Sequence, residues 1–410
     1  MILRASTKFR LLFLLVFVRF YDAEAQNFDA DRQSHSNYTA ISTSFPFLRI
    51  MPDPRTAAMG EAGVARTPDV NSLSINPAAL VFNPYKASIG VSHNPWLKSV
   101  IKDVNLSYFS AYLNSGEQAI GMSLRYFSVG ETTFRDEHAL TLGMLHPVEY
   151  AFDISYARKL GPGFSLGASA RYAQSRLQLN DEGLALQNAG AALAVDVSAY
   201  MIKPTNILGY DADLSGGIYL SNLGPGNMDQ KTQHRYTLPT NLRLGTAAAL
   251  NLDQLSRFSI AADLNKLLVP SNNEQGNHGY PNNQQVNSLQ SNNQQVSNPQ
   301  RSSFPAGILR SFSDRSFAEE LAEISMSLGL EWTFKQQFSL RTGYLYEHPG
   351  KGNRRYISFG AGMIYRSMSL DLAYLPVNTE KSPMANTLKI GLMFNFGQFD
   401  ERRPDYVGPK

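Results

Sequence analysis

The stretch EISMSLGLEWTFK, residues 323–335, decides the fold. Ile324, Met326, Leu328, Leu330, Trp332 and Phe334 occupy alternate positions, with Ser325, Ser327, Gly329, Glu331 and Thr333 between them. Successive side chains of a strand point to opposite faces, so the run predicts a strand with one apolar and one polar face. In a water-soluble sheet a second layer would have to cover the apolar face. Here the pattern recurs to the end of the chain, with almost no helical segment to supply that layer. The expectation is an all-β fold: a transmembrane antiparallel β-barrel whose apolar side faces lipid.

Working outward, segments of this kind fall at 87–94, 104–113, 118–127, 148–160, 164–176, 189–203 and 211–223. They continue at 241–252, 257–267, 323–335, 337–347, 354–365, 368–375 and 386–396. The total of about 14 is even, as a bacterial single-chain barrel requires. Connection lengths agree. Those at 114–117, 161–163, 253–256, 336 and 366–367 are short, and 204–210 is somewhat longer. The alternate ones, 130–147, 178–188, 224–240, 269–322 and 376–385, are long. Outer-membrane barrels sort their connections this way, with short periplasmic turns and long extracellular loops. The segment 139–145 also alternates, but a barrel strand there would break the order, so it is assigned to a loop.

The 410 residues are 43% hydrophobic with a mean hydropathy of −0.25. Beyond the N-terminus there is no run of about 20 apolar residues, which excludes helical spans. A net charge of +3 gives no reason to expect nucleic acid. Arg4, Lys8 and Arg10, an apolar run over 11–18 and Ala23-Glu24-Ala25 read as a secretory signal peptide at 1–25, implying export to the outer membrane. Cysteine is absent, so neither a lipoprotein anchor nor disulfides are expected.

Residues 26–44 are polar and read as flexible. The following 45–86 are apolar but broken by Pro46, Pro52, Pro54, Pro68 and Pro77, with Gly60 and Gly63 between. This reads as a plug or hatch entering the lumen from the periplasmic end, or as a periplasmic cap. The barrel then occupies 87–397, with an Asn/Gln-rich extracellular loop insertion at 270–303 and a periplasmic tail at 398–410. In the insertion, NNQQV at 282–286 is echoed at 292–296, a composition that cannot bury a core.

Gly163-Phe164-Ser165-Leu166-Gly167 fits the nucleophile-elbow pattern, but that pattern needs a strand-to-helix turn, and here the strand alternation simply continues. Ser165 is therefore read as a lumen residue. The seven His residues lack metal-ligand spacing, and no P-loop or dinucleotide fingerprint occurs. No catalytic set, metal or cofactor is expected, and the chain reads as a non-enzyme. Inward positions carry Arg125, Asp153, Arg171, Asp196, Asp213, Arg243, Asp263, Glu331, Arg341, Asp371 and Lys389. Their mixed signs suit a lumen closed by cross-strand pairs and plug contacts. Tyr108, Tyr126, Tyr156, Trp332, Tyr344, Tyr346 and Tyr374 are read as outward aromatics of the lipid band and its girdles. Trp96 and Leu97, beyond Pro95 in an extracellular loop, either rest on the rim or present an apolar contact to a partner.

Several motifs together resemble the PorV (LptO) family of type IX secretion barrels, within the wider FadL-like group. They are Pro46-Phe47-Leu48, Pro52-Asp53-Pro54-Arg55, Met59-Gly60-Glu61-Ala62-Gly63-Val64-Ala65, Asp69 and Asn76-Pro77-Ala78. Asn94-Pro95-Trp96-Leu97, Arg125-Tyr126-Phe127-Ser128-Val129-Gly130-Glu131, 151–160 and Ser221-Asn222-Leu223-Gly224 continue the likeness. The resemblance runs from about Phe45 to Phe396, and the 270–303 insertion departs from it. It implies a barrel that receives cargo from a Sov/SprA-type translocon by its C-terminal signal domain. The cargo then passes to a PorU-type peptidase and attachment complex, which removes the signal and joins cargo to lipopolysaccharide. PorQ is a sister reading within the group. A different class of function is a FadL-like transporter of hydrophobic small molecules, which needs an apolar lumen pocket and a strand kink. Gly216 and Gly217 are the candidates for that kink.

Overall fold

The computed structural model describes residues 43–95, 104–135, 141–176, 178–179, 186–187, 190–228, 235–269, 305–313, 316–376 and 387–399. The expected signal peptide, residues 26–42, Trp96 and Leu97, the 270–303 insertion and the tail from 400 onward lie outside the described residues.

Fourteen antiparallel strands form a closed barrel in chain order. They are β1 (Tyr85–Pro95), β2 (Val104–Asn114), β3 (Gln118–Val129), β4 (Val148–Gly161), β5 (Phe164–Arg176), β6 (Gly190–Ile207) and β7 (Tyr210–Leu223). The circuit continues with β8 (Asn241–Asn251), β9 (Ser256–Leu267), β10 (Ile324–Phe334), β11 (Phe338–Tyr346), β12 (Arg355–Tyr365), β13 (Met368–Leu375) and β14 (Thr387–Gln398). β14 pairs with β1 and leaves no open edge. Among the described residues no helix is long and apolar enough to cross a membrane.

Pro204 lies inside β6, which runs on to Ile207 and turns through Leu208 and Gly209 alone. The connection expected to be longest at the short end is thus a tight hairpin, with positive φ at both turn residues. Proline is tolerated because β5 begins at Phe164, opposite Met201, so at residue 204 no strand remains on that side to receive an N–H. Residues Thr141–Leu145 are a strand, but they pair with Thr132–Arg135 in a separate two-stranded ladder and not in the barrel.

Alternation sorts the two faces. In β10, Ser325, Ser327 and Glu331 are buried while Met326 and Leu328 are exposed. Outward side chains such as Ile120 (59% exposed) and Ile154 (54%) would be costly in water and cost nothing in hydrocarbon. Every inward charge expected from the sequence has its side chain turned inside. Tyr108 does not follow the expectation: it points inward, 2% exposed, under the Arg125 guanidinium. β2 is apolar on both faces, and Leu106 and Tyr112 of its inner row pack against an apolar partner inside the barrel.

That partner is the segment preceding β1, here termed the inner segment. It contains a 3-10 turn at Pro46–Arg49, the helix α1 (Pro54–Ala58) and 3-10 turns at Val70–Ser74 and Pro77–Phe82. Phe47 joins Leu106 and Leu238, Leu73 and Leu80 join Tyr112 and Tyr200, and Ala58 joins Leu345 and Tyr356. The core of the molecule therefore lies between the inner segment and the inward faces of strands on every side.

Candidate functional site

The inner segment is locally built by proline and caps. Asp53 accepts a hydrogen bond from the Thr56 amide at 2.8 Å and starts α1, with Pro54 in its first turn. Asp69 starts the next turn through a reciprocal cap with Ser72. These caps leave the chain in short turns instead of one long helix, so its backbone can follow the curved wall.

The segment's own residues meet the barrel wall and one another as follows, whereas Trp96 and Leu97 lie outside the described residues. At Gly60 (φ +64°) a Cβ would lie 2.5 Å from the Tyr344 nitrogen, and at Gly343 one would lie 2.0 Å from the Gly60 nitrogen. Two glycines thus allow backbone to meet backbone. The Gly63 and Val64 amides donate to one Asp263 carboxylate oxygen at 2.7 and 3.0 Å. Asn76 Nδ2 donates to the Val64 and Ala199 carbonyls. The Ala78 amide donates to Ser198 Oγ at 3.1 Å, and Ser165 Oγ donates to the Ala78 carbonyl at 2.6 Å. Pro77 opens the 3-10 turn beside them. The elbow-like serine is therefore a dock for Asn76-Pro77-Ala78.

Asp69 anchors an alternating chain of charges. Arg55 donates to Asp69 at 3.0 Å and grips Glu331 with two bonds, 2.9 and 2.7 Å. Glu331 also accepts from Arg341, which reaches over β12 to Asp371, both at 2.5 Å. Gly362 makes room for that crossing, since a Cβ would sit 2.7 Å from both side chains. On its other side Asp69 accepts from Arg66, whose guanidinium lies 3.7 Å from Asp53. Burial opposes ionisation of Asp69, but Arg66 and Arg55 outweigh it and hold the carboxyl at about 2. Asp53, at the end of the chain with one oxygen unpartnered, is pushed up by burial. Glu61 accepts from Tyr356 and Arg354. Although burial disfavours its charge, Arg354 and Arg243 bring its pKa below the usual value.

The strand charges of β4 to β6 pair among themselves instead: Arg171 bridges Asp153 and Asp196. Asp196 also marks a β-bulge, where Asn222 (φ +59°) donates its amide to the carboxylate at 2.7 Å. This gives Ser221-Asn222-Leu223-Gly224 a structural reason. The ladder is continuous through Gly216 and Gly217, so the irregularity in β7 is at the bulge and not at the expected kink.

At the short-turn end a vestibule of about 280 Å³ opens on Arg55, Asp69, Glu331, Arg341 and Asp371, rimmed by turn residues such as Asp253 and Gln336. At the long-loop end Phe312, just beyond α2 (Ala306–Arg310), lies under the Lys266 ammonium. There α3 (Phe317–Ala322) is tied to the rim where Lys266 contacts Glu320 and Glu323, with Lys351 on Glu323. Sequence reasoning gave no role to Arg55, Glu61 or Arg66. Their signal was available: charges inside an apolar, proline-broken stretch demand buried partners.

Several solved structures are similar to the chain. The Ralstonia pickettii toluene transporter TbuX is 11% identical over 84% of this chain and 98% of its own, with a TM-score of 0.45. The P. putida toluene transporter TodX is 11% identical over the same shares, with a TM-score of 0.48. A Pseudomonas aeruginosa FadL homologue is 11% identical over 83% of this chain and 98% of its own, with a TM-score of 0.39. No curated protein matches the sequence. Residues 33–274, more than half of the chain, match the family described as type IX secretion system protein PorV. With its closed barrel of fourteen strands, the chain belongs to the PorV family and is an outer-membrane component of type IX secretion.

Proposed function

We propose that this barrel binds the C-terminal signal domain of secreted cargo and carries it from a Sov/SprA-type translocon to a PorU-type peptidase and attachment complex. There the signal is removed and the cargo joined to lipopolysaccharide. Family membership carries the reading. The inner segment supports it: hydrogen-bonded and ion-paired to strands around the wall, it acts as a plug that makes the lumen a scaffold and leaves the long-loop end to do the binding. Gly60, Gly63, Asp69, Asn76, Pro77 and Ala78 are then seating residues of the plug. A shuttle must release what it binds, so the contact with cargo is a modest interface at the loops, with Trp96 and Leu97 as its apolar part. Replacing both by Ala leaves the barrel assembled and weakens capture of a purified signal domain. Undiminished capture would remove these residues from the interface. A FadL-like transport of small apolar molecules has less support, because the inward faces carry many polar groups whose charges are ion-paired or hydrogen-bonded.

A further inference from the structure

The outward, lipid-facing wall is not smooth. A groove of about 900 Å³ crosses it from β6 to β11. Its floor is one row of small side chains in register on adjacent strands, Gly216 opposite Thr246 and Thr246 opposite Ala262. Met201 closes one end of that row and Leu328 the other. The Thr246 hydroxyl donates to the Ser215 carbonyl at 3.1 Å, so the floor presents a methyl group and no free polar atom.

We propose that this groove holds one hydrocarbon chain of a membrane lipid. The occupant follows from continuity and width. The groove lies at mid-strand in the apolar outward band, flanked along the strands by Ile218 and Leu264 on one side and Leu214 and Ile260 on the other. Same-face neighbours along a strand are about 7 Å apart, so removing one row of side chains leaves a trough about one chain wide. A helix, about 10 Å across, does not enter it. Behind the floor the wall is only backbone thick. Gly217 and Gly245 face inward, and a Cβ at either would lie 2.8 Å from a Val64 side-chain carbon. A bound chain thus packs directly outside the point where the plug touches the wall.

The test is native mass spectrometry of the full chain after exchange into lipid-free detergent, comparing wild type with Thr246→Leu/Ala262→Leu. Both new side chains lie on the lipid face, and heat-modifiable mobility on gels checks that the barrel is folded. The wild type should retain a single acylated lipid, whose mass identifies it as phospholipid or lipid A, and the double variant should fall to background. Equal retention by both proteins, or none by the wild type, overturns the proposal. So does a photo-crosslinking residue in place of Ala262 that joins a protein instead of lipid in native membranes.

Discussion

The inner segment rests on two flanks of different chemistry. Against β5 and β6 the contacts of Asn76 and Ala78 are neutral: an amide side chain, two serine hydroxyls and the close approach permitted by Gly167. Against β9 to β14 they are largely ionic or charge-assisted: Arg55 with Glu331, Glu61 with Arg354, Asp263 with two amides, and Lys389 with the Met51 carbonyl. Shape fixes the neutral flank, and no change of pH or field alters it. The charged flank depends on each partner keeping its charge, because a buried ion left alone is far costlier than a lost neutral hydrogen bond. If the inner segment shifts during a secretion cycle, the charged flank is where it lets go and the neutral flank is where it hinges.

The largest effect is expected from Glu331→Gln. It leaves Arg55 and Arg341 facing each other without the carboxylate between them, which costs about 3–5 kcal/mol. Limited proteolysis should then cut within 45–84 at rates that rise at low salt, while the barrel still folds. A second effect is acid sensitivity. The Asp69 carboxyl titrates at about 2 in the fold, below its ordinary 3.8. Its contribution, about 2 kcal/mol, is therefore complete above the ordinary value and lost as pH falls towards the folded one. Asp53 opposes it, since a raised carboxyl favours the folded state at low pH and loses that contribution as pH rises through its folded value. Thermal melts between neutral and acid pH should show a destabilising acid limb that Asp69→Asn makes shallower, Glu61 keeping its own share. The smallest effect is that of Ser198→Ala on the neutral flank, about 1 kcal/mol, independent of pH and salt. A salt-dependent Ser198→Ala, or a salt-independent Glu331→Gln, would erase the distinction between the flanks.

Much of this barrel was legible because side-chain period and strand direction are coupled: one apolar residue in two, as in 323–335, names both the strand and its outward face. The inward charges were legible for the same reason. Tyr108 was misread because β2 is apolar on both faces, and alternation alone cannot say which apolar row meets lipid and which meets the inner segment. Pro204 looked like a loop residue because the end of its neighbouring strand, not its own sequence, makes it tolerable. Arg55 and Glu61 went without roles because Glu331, Arg354 and Tyr356 lie hundreds of residues away, and register must be known before such a pair can be drawn. The partners of Arg66, Asp53 and Asp69, lie close in sequence but are brought to it only by the fold of the proline-broken segment.

A partner-binding component of type IX secretion, as proposed above, leaves the membrane in the company of its partners. The most direct measurement is affinity purification of a tagged copy from detergent-solubilised outer membranes, with co-purifying proteins identified by mass spectrometry. The account expects a very large barrel, a PorU-type peptidase, or secreted proteins that still carry their C-terminal signal domains. Recovery of the barrel alone, with fatty acid or another apolar molecule in its lumen, would contradict it and favour small-molecule transport.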